Sequence, residues 1–390
     1  MLKKKVQSLA KKNRKSIIEC RQHLHQYPEL SFQEYKTCQF VKSKLESWGI
    51  PTQIMATTGV IGIIKGKNPD SRILALRADM DALPIQEINE VPYKSKNEGI
   101  MHACGHDVHT SSLLGAAQIL QALKDEWSGT IKLIFQPGEE KLPGGASILI
   151  KEGVLENPKP SQILGQHVEP LLEVGKVGIK GGLFMASADE IYVTVRGKGG
   201  HGARPHQCVD TILMASQMIV QLQQLVSRHA DPLMPTVLTF GKIYSEGGAT
   251  NVIPNEVKIL GTLRTFDEAW RATAHERLKE MAQLICKSMG GSCDFDIIKG
   301  YPFLKNDEVF TQSTRLAMED YLGAENIVDL PARMGGEDFA FYSQQMPACF
   351  YRLGVQNPNG TGLHTPNFDV NEDCLEVGAG LMAWLAMQPA

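Results

Sequence analysis

The spacing of apolar residues predicts that helices alternate with buried strands over the first half of the chain. Apolar side chains recur every three or four positions over residues 3–25 and 31–48, which predicts two surface helices separated by Pro28. Four short segments are apolar and rich in isoleucine and leucine, as buried strands are: GVIGIIKG, SRILALRAD, TIKLIFQP and ILGQHVEP. Helices are predicted over SSLLGAAQILQALKDE and GASILIKEG, so this part is predicted to contain βαβ units.

From residue 187 the pattern changes to β-α-β-β-α-β, the order of a ferredoxin-like domain. Its long helices are predicted over HQCVDTILMASQMIVQLQQLVSR and EAWRATAHERLKEMAQLICKSM. After residue 298 the α/β alternation resumes, with a helix at 307–322, a strand at IVDL, a helix opened by GGEDFAFYSQQ, a strand at ACFYRLGV and a C-terminal helix. The prediction is an α/β fold with a mixed sheet flanked by helices in residues 1–183 and 299–390, interrupted by an α+β domain at 184–298.

Charge and composition exclude some classes of partner. The 390 residues include 40 basic and 43 acidic side chains, a balance that offers no strong field to nucleic acid or to a membrane surface. The most apolar window, TILMASQMIVQLQQLV, is too short and too polar to span a membrane. The basic N-terminus lacks the apolar region and cleavage site of a signal peptide, and the eight cysteines form no CxxC pair, so a cytoplasmic protein is predicted.

Candidate chemistry is densest in MHACGHDVHT, residues 101–110. His102, Cys104, His106 and His109 offer the imidazole nitrogen and thiolate sulfur that zinc and related metals prefer. Gly105 allows the backbone to bend so that alternate side chains converge on one ion. The alternative is a polar loop before a helix, in which the histidines only form hydrogen bonds.

Acidic residues and histidines also follow the predicted strands. Asp79 and Asp81 lie at the end of one strand, where an i, i+2 pair in extended chain faces one side, although a capping turn is an alternative. Glu139 and Glu140 follow another strand; one could bind metal and the other act as a base, or both could be solvated. Two histidines follow later segments of the chain: His167 and His364.

A glycine-rich segment, GKGGHG at 197–202, matches the GxGxxG pattern of dinucleotide-binding loops. The acidic residue expected about 20 positions later is missing, because the predicted helix occupies that region, and Pro205 separates the glycines from the helix. The nucleotide hypothesis is therefore weak. A flexible loop that presents His201 and Arg204 to a ligand is the other interpretation.

Eight segments in one order along the chain carry a resemblance to a known family: ADMDALP, HACGHDVHT, PGEE, GKGGHGARPH, ATNVIPNEV, TLRTFD, GGEDFA and GLHTPNF. Together they resemble the metal-dependent aminoacylase/carboxypeptidase family, in its amidohydrolase branch of hippurate hydrolases and auxin-conjugate hydrolases. The resemblance runs from about residue 15 to the C-terminus. It implies a metal-binding catalytic domain at 1–183 and 299–390, and an inserted lid at 184–298 that also forms a homodimer.

The resemblance also implies two adjacent divalent metal ions. Cys104 would lie between them, with His106 and His167 completing one ion and Glu140 and His364 the other. Relatives outside this branch have Asp in place of Cys104 and His in place of Asp79. Because a thiolate is softer than a carboxylate, the identity of the metal stays open: zinc or manganese is expected, and cobalt or nickel is an alternative.

The remaining roles are likewise implied by the resemblance. Glu139 would be the general base, Asp79 and Asp81 would orient ligand imidazoles, a partner subunit's copy of His201 would stabilise the oxyanion, and Asn251 and Arg264 would bind the substrate carboxylate. His102 and His109 would become helpers or structural groups. The implied reaction is hydrolysis of the amide bond of an N-acyl amino acid or short peptide. The alternative is a non-catalytic metal- or peptide-binding protein on the same scaffold.

Overall fold

The computed structural model describes residues 1–246, 248–358 and 360–389. The chain divides into two compact units. The first comprises Met1–Phe184, Lys305–Ala332 and the segment from Asp338 onward, and the second comprises Met185–Leu304 and Arg333–Glu337. The second unit thus extends to Leu304, beyond the limit at 298 set by the strand pattern, and gains a short later segment.

Nine α-helices and sixteen strands make up the described chain. The helices are α1 (Leu2–Gln26), α2 (Tyr35–Ser47), α3 (His106–Ala122), α4 (Gly145–Lys151), α5 (Thr211–Leu222), α6 (Glu268–Ser288), α7 (Glu308–Leu322), α8 (Ala340–Ser343) and α9 (Cys374–Ala386). The strands are β1 (Thr52–Met55), β2 (Gly59–Lys65), β3 (Ile73–Asp79), β4 (Thr130–Gln136), β5 (Gln162–Glu169), β6 (Val177–Ile179), β7 (Gly182–Met185), β8 (Asp189–Arg196), β9 (Gly200–His201), β10 (Thr236–Tyr244), β11 (Val252–Ile253), β12 (Glu256–Thr265), β13 (Ser292–Lys299), β14 (Leu304–Asn306), β15 (Ile327–Asp329) and β16 (Ala348–Gly354).

The first unit is built on an eight-stranded mixed sheet in the order β1-β2-β4-β3-β5-β16-β6-β15. All residues of β4 and β16 are buried, so both faces of the sheet centre are covered. Helices α1, α3 and α9 pack against one another, and α4 packs against β4 and α8. The mixed-sheet α/β class predicted from the sequence is confirmed.

Parallel pairing brings three strand ends to one edge of this sheet. In the β3–β4 pair Asp79 lies opposite Gln136, and in the β3–β5 pair Arg77 lies opposite Gly165, two residues before His167. The segments that follow β3, β4 and β5 therefore leave the sheet at the same level. Open α/β sheets bind their ligands at this carboxyl edge.

The second unit contains an antiparallel sheet in the order β10-β12-β8-β13, the ferredoxin-like arrangement. Inward-facing Ile191, Val193 and Val195 of β8 pack with residues of α5 and α6 in one apolar core. A separate two-stranded sheet pairs β9 with β11.

The long helix predicted from residue 206 starts later than expected. Asp210 caps α5, because its carboxylate accepts hydrogen bonds from the N–H groups of Ile212 and Leu213 at 3.0 and 3.1 Å. The residues before the cap form a 3₁₀ turn, Pro205–Gln207, and those after Leu222 lead into a π turn, Leu225–His229. Among the described helices of the chain, none combines the length and apolar character needed to cross a membrane.

Candidate metal centre

The turn that leads into α3 brings Cys104 and His106 to the carboxyl edge of the sheet. Gly105 adopts φ 81°, in the left-handed region that favours glycine. A Cβ atom on Gly105 would lie 2.6 Å from Cγ2 of Val168, so the backbone passes too close to β5 for any other residue. The glycine therefore permits both the sharp turn and the close approach of Cys104 to the end of β5.

Five predicted ligands converge at this edge. Sγ of Cys104 lies 3.5 Å from Nε2 of His167 and 3.3 Å from Nε2 of His364. Oε1 of Glu140 lies 3.2 Å from Nε2 of His364 and 3.9 Å from Nε2 of His106. These residues form two groups of donor atoms within 4.8 Å of one another, Cys104–His106–His167 and Cys104–Glu140–His364. Because Cys104 belongs to both groups, the arrangement suits two ions that share one thiolate.

The hydrogen bonds of the two buried imidazoles leave their Nε2 atoms available as ligands. Nδ1 of His167 donates to the carbonyl oxygen of Val168 at 2.7 Å, so the lone pair is on Nε2 and faces Cys104. Nδ1 of His106 is paired with Oδ1 of Asp81 at 3.2 Å. Its Nε2 is buried and makes no hydrogen bond within the described residues, an unusual state for a buried polar atom. The donor set therefore fits divalent metal ions.

Glu139 is buried and lies beside this cluster. A carboxylate oxygen of Glu139, Nε2 or Nδ1 of His106 and an oxygen of Glu140 all lie within 4.8 Å of one another. The carboxylates of both adjacent glutamates thus lie close to His106. This placement allows Glu140 to bind a metal ion while Glu139 acts as a base beside it.

Asp81 contacts two residues of the donor set through its carboxylate. Asp81 accepts a hydrogen bond from the N–H of Glu140 at 2.9 Å and from the hydroxyl of Ser31 at 2.7 Å, besides its contact with His106. Burial alone would raise the pKa of Asp81, but these hydrogen bonds, chiefly that of His106, lower it. A single carboxylate therefore couples the positions of His106 and Glu140.

The two other histidines of the 101–110 segment have different surroundings. Both nitrogens of His109 are used: Nδ1 lies 2.6 Å from Oδ1 of Asp79, and Nε2 accepts from the N–H of Val168 at 2.9 Å. His102 is buried with no hydrogen-bond partner for either nitrogen among the described residues, and burial lowers its pKa to about 4, so the ring is neutral. Neither residue belongs to the five-residue donor set.

Three predicted residues lie in the second unit. His201 on β9 pairs with Val252 on β11, and the N–H of Gly202 donates to the carbonyl oxygen of Asn251 at 2.6 Å, so His201 and Asn251 are neighbours. Both are exposed. Arg264 lies on β12, where its guanidinium donates to the carbonyl oxygen of Asp189 at 3.3 Å and to the hydroxyl of Thr262.

Two supporting groups were missed from the sequence. Arg77 donates to Asp79 at 2.7 Å, to Gln136 at 2.9 Å and to Asp338 at 2.6 Å, all in buried positions. An arginine within the apolar strand ILALRAD was the available signal. Glu34 accepts hydrogen bonds from the N–H groups of Phe32 and Gly138 at 2.9 and 2.8 Å, and nothing in the local sequence marks it.

Comparison with known proteins agrees with this geometry. Residues 75–388 match the model of peptidase family M20/M25/M40. The chain belongs to this family. The M20 chain is 44% identical over 310 residues to an N-acyl-L-amino acid amidohydrolase of Geobacillus stearothermophilus, covering 79% of this chain and 83% of that protein. It is 42% identical over 363 residues to an N-acetyl-L-cysteine deacetylase of Bacillus subtilis, covering 93% and 85%.

A solved structure shows a similar fold. The M20 chain superimposes on the YXEP protein of Bacillus subtilis, a dinuclear metal binding peptidase, with a TM-score of 0.82 and 36% identity. The match covers 97% of this chain and 98% of that structure. The family predicted from the sequence motifs is thereby confirmed.

Proposed function

We propose that this M20 protein is a metal-dependent hydrolase that cleaves the amide bond of N-acyl amino acids or short peptides. The observation that carries the proposal is the convergence of Cys104, His106, Glu140, His167 and His364 around buried donor atoms, with Glu139 beside them. The names of the relatives, an N-acyl-L-amino acid amidohydrolase and an N-acetyl-L-cysteine deacetylase, support the same class of substrate.

The donor set is proposed to hold two divalent ions, one by Cys104, His106 and His167 and the other by Cys104, Glu140 and His364. When bound, such ions polarise an amide carbonyl and lower the pKa of water. Zinc or manganese is the proposed metal, with cobalt or nickel as alternatives, because the set mixes a soft thiolate with imidazoles and one carboxylate.

Glu139 is the proposed general base. Its carboxylate takes a proton from the attacking water as the new C–O bond forms at the carbonyl carbon. It then gives that proton to the amide nitrogen, which leaves as a free amine when the C–N bond breaks. Asp81 fixes the imidazole of the proposed ligand His106, and Asp79 fixes the neighbouring His109, so the donor atoms need little rearrangement during the reaction.

Substrate recognition is proposed to use the second unit. Arg264 and Asn251 would bind the carboxylate of the amino acid, since a guanidinium matches that planar group. His201 would stabilise the oxyanion from the partner subunit of a homodimer. The two outer strands of the second sheet, β10 and β13, have no further strand beside them in the described chain, which supports dimerisation through this unit.

A cytoplasmic location is part of the same proposal. Its support is cysteine usage: the eight cysteines are free thiols, as expected in a reducing compartment.

The test is a substrate panel. Metal-free protein is reloaded with each of the four metals and supplied with N-acyl amino acids and dipeptides, and release of free amino acid is measured. The Glu139→Gln variant should lose at least about a hundredfold in kcat while keeping its metal content. Glu90→Gln, at an exposed position outside the site, is the matched control and should retain activity.

Two outcomes would count against the proposal. A metal-loaded protein that binds N-acyl amino acids without hydrolysing any of them would favour the non-catalytic binding protein. Full activity in Glu139→Gln would remove the base assignment alone.

The trans role of His201 has its own test. Glu139→Gln and His201→Ala are each inactive by the proposal, but mixing them under conditions of subunit exchange should restore activity, because a mixed dimer contains one site with both residues intact. A purely monomeric protein in light scattering, or no recovery on mixing, would exclude this role.

A further inference from the structure

A cavity of about 250 Å³ opens beside Glu140 in the first unit. Its apolar wall is formed by Leu30, Ala82, Leu83 and Pro84, and we refer to it as the Leu83 pocket. Glu140 lines this pocket and also belongs to the proposed donor set, so the pocket adjoins the proposed site of amide cleavage. A substituent of the scissile amide that extends past Glu140 would enter it.

The walls of the Leu83 pocket are fixed by backbone hydrogen bonds. The N–H of Ala82 donates to the carbonyl oxygen of Glu29 at 2.8 Å, and Leu83 and Met101 exchange two hydrogen bonds of 3.0 Å. A parallel bridge also joins Leu30 to Ala82. The pocket is thus formed before any ligand binds, and its shape can select among ligands at little cost in ordering.

The apolar wall indicates which substituent the pocket suits. The charged residues of the described lining are Glu140, a proposed metal ligand, and Lys141, whose side chain is exposed, and Ser31 and Gln33 are its polar residues. An amino acid half carries a carboxylate, which the apolar wall disfavours. An acyl chain carries no charge, and its burial against Leu30, Leu83 and Pro84 is favourable at about 25 cal/mol per Å² of apolar surface.

We propose that the Leu83 pocket binds the acyl group of the substrate, and that the preferred substrates carry an apolar acyl group larger than acetyl, either a chain of several carbons or a single aromatic ring. This inference rests on the proposed amide hydrolysis. The size argument follows from the cavity, since an acetyl group would leave most of the 250 Å³ without apolar contacts.

The test varies the acyl group while the amino acid stays constant. Wild-type protein is assayed with the N-acetyl, N-butyryl, N-hexanoyl and N-benzoyl derivatives of one amino acid, and kcat/KM is measured for each. The value of kcat/KM should rise at least about tenfold from acetyl to the preferred longer group, since even one methylene group in an apolar pocket changes kcat/KM by about 10- to 200-fold.

Substitutions at Leu83 should move this preference in both directions. Leu83→Ala enlarges the pocket and should shift the optimum to longer acyl groups, whereas Leu83→Phe fills it and should favour acetyl over hexanoyl and benzoyl. Leu316→Phe, at an exposed position of α7, is the matched control and should leave the acyl preference unchanged. Metal content and thermal unfolding are recorded for each variant, and Leu83→Met replaces Leu83→Phe where the latter does not fold.

A second series keeps the acyl group constant and varies the amino acid. The Leu83 variants should change kcat/KM by the same factor for every member of this series. If the Leu83 variants change kcat/KM for some amino acids and not for others, the pocket binds the amino acid half of the substrate. If kcat/KM of the wild type does not vary along the acyl series, the pocket binds neither half. Each of these results overturns the inference and leaves the proposed amide hydrolysis intact. Absence of any hydrolysis with every metal would defeat the proposed function itself.

Discussion

Nδ1 of His109 lies 2.6 Å from Oδ1 of Asp79, and both side chains are fully buried. The other ring nitrogen of His109 accepts the N–H of Val168, so the imidazole connects the end of β3 to the end of β5. Asp79 also lies 3.7 Å from Nε2 of His106, and the carbonyl oxygen of Val168 accepts a hydrogen bond from Nδ1 of the proposed ligand His167 at 2.7 Å. We therefore propose that His109 is a positioning residue for the donor set.

Replacement of His109 by Ala should weaken metal binding without removing a ligand. We expect the dissociation constants to rise by about 10- to 100-fold, the range found when partners of ligands are removed, while the metal-to-protein ratio at saturation is unchanged. Competition with a chromophoric chelator measures both quantities. His229→Ala, at an exposed position of the second unit, is the control. A lowered ratio at saturation would mean that His109 is itself a ligand.

Metal affinity should increase with pH across the neutral range. Burial raises the pKa of the Cys104 thiol, and hydrogen bonds with Cys104 and Glu140 raise the pKa of His364 to about 10. Both groups hold protons at pH 7 in the metal-free protein, and both must lose them to bind an ion. The association constant should thus rise up to about tenfold per pH unit for each proton released.

Calorimetry in buffers of different ionisation enthalpy counts the protons released on metal binding. The Cys104→Ala variant should release at least one proton fewer than the wild type at pH 7, because the thiol is absent and the largest cause of the raised His364 pKa is removed with it. An association constant that does not change between pH 6 and 8 would show that the donor set is already deprotonated and would contradict the prediction.

A third prediction concerns Gly138, which lies directly before Glu139 and Glu140 and lets their loop pass close to Phe32. Gly138 has φ 59°, and a Cβ atom there would lie 2.3 Å from Cε1 of Phe32. The clash would displace the loop that carries both glutamates, so Gly138→Ala should lower kcat/KM by at least about tenfold. Gly153→Ala is a matched control, since Gly153 also has a positive φ, 88°, but no atom within 4 Å of the added Cβ.

The two glycine variants separate backbone strain from displacement of the site. Each should lose about 1–3 kcal/mol of unfolding free energy, measured in urea, from the positive φ, with a further loss from the clash in Gly138→Ala. Only Gly138→Ala should lose activity. Equal activity in the two variants would show that the contact of Gly138 with Phe32 does not position the glutamates.

Much of the site was predictable because several of its residues lie at or just after strand ends that the apolar pattern reveals. Asp79 ends β3, Glu139 follows β4 and His167 lies near the end of β5, and parallel strands bring such ends to one edge. The roles within the site came from the family resemblance. Local spacing cannot distinguish His106, whose Nε2 is available, from His109, whose nitrogens are both used.

The missed features depend on contacts between residues that are distant in sequence, or on a helix cap that overrides the apolar spacing. Arg77 is paired with Asp338, 261 positions away, and no local pattern encodes such a pairing. The start of α5 was placed too early because apolar spacing continues before Asp210, whereas the capping carboxylate decides where the helix begins. The short strand β1 has no buried residue and so lacks the apolar signature of its neighbours.

Stability of the second unit should depend on the buried Asp189. Burial alone would raise its pKa, but hydrogen bonds from Arg271 and His275 lower it to about 2, below the value near 3.9 of an unfolded aspartate. The stabilisation is therefore complete above about pH 5 and is lost as the pH falls through about 2. Asp189→Asn leaves the buried Arg271 with only the partly exposed carboxylate of Glu268, and it should cost about 3–5 kcal/mol at pH 7, with the difference from wild type shrinking toward pH 2. Asp294→Asn, which breaks an exposed pair with Arg196, should cost about 0–1 kcal/mol in the same urea titrations, and equal costs for the two variants would contradict the prediction.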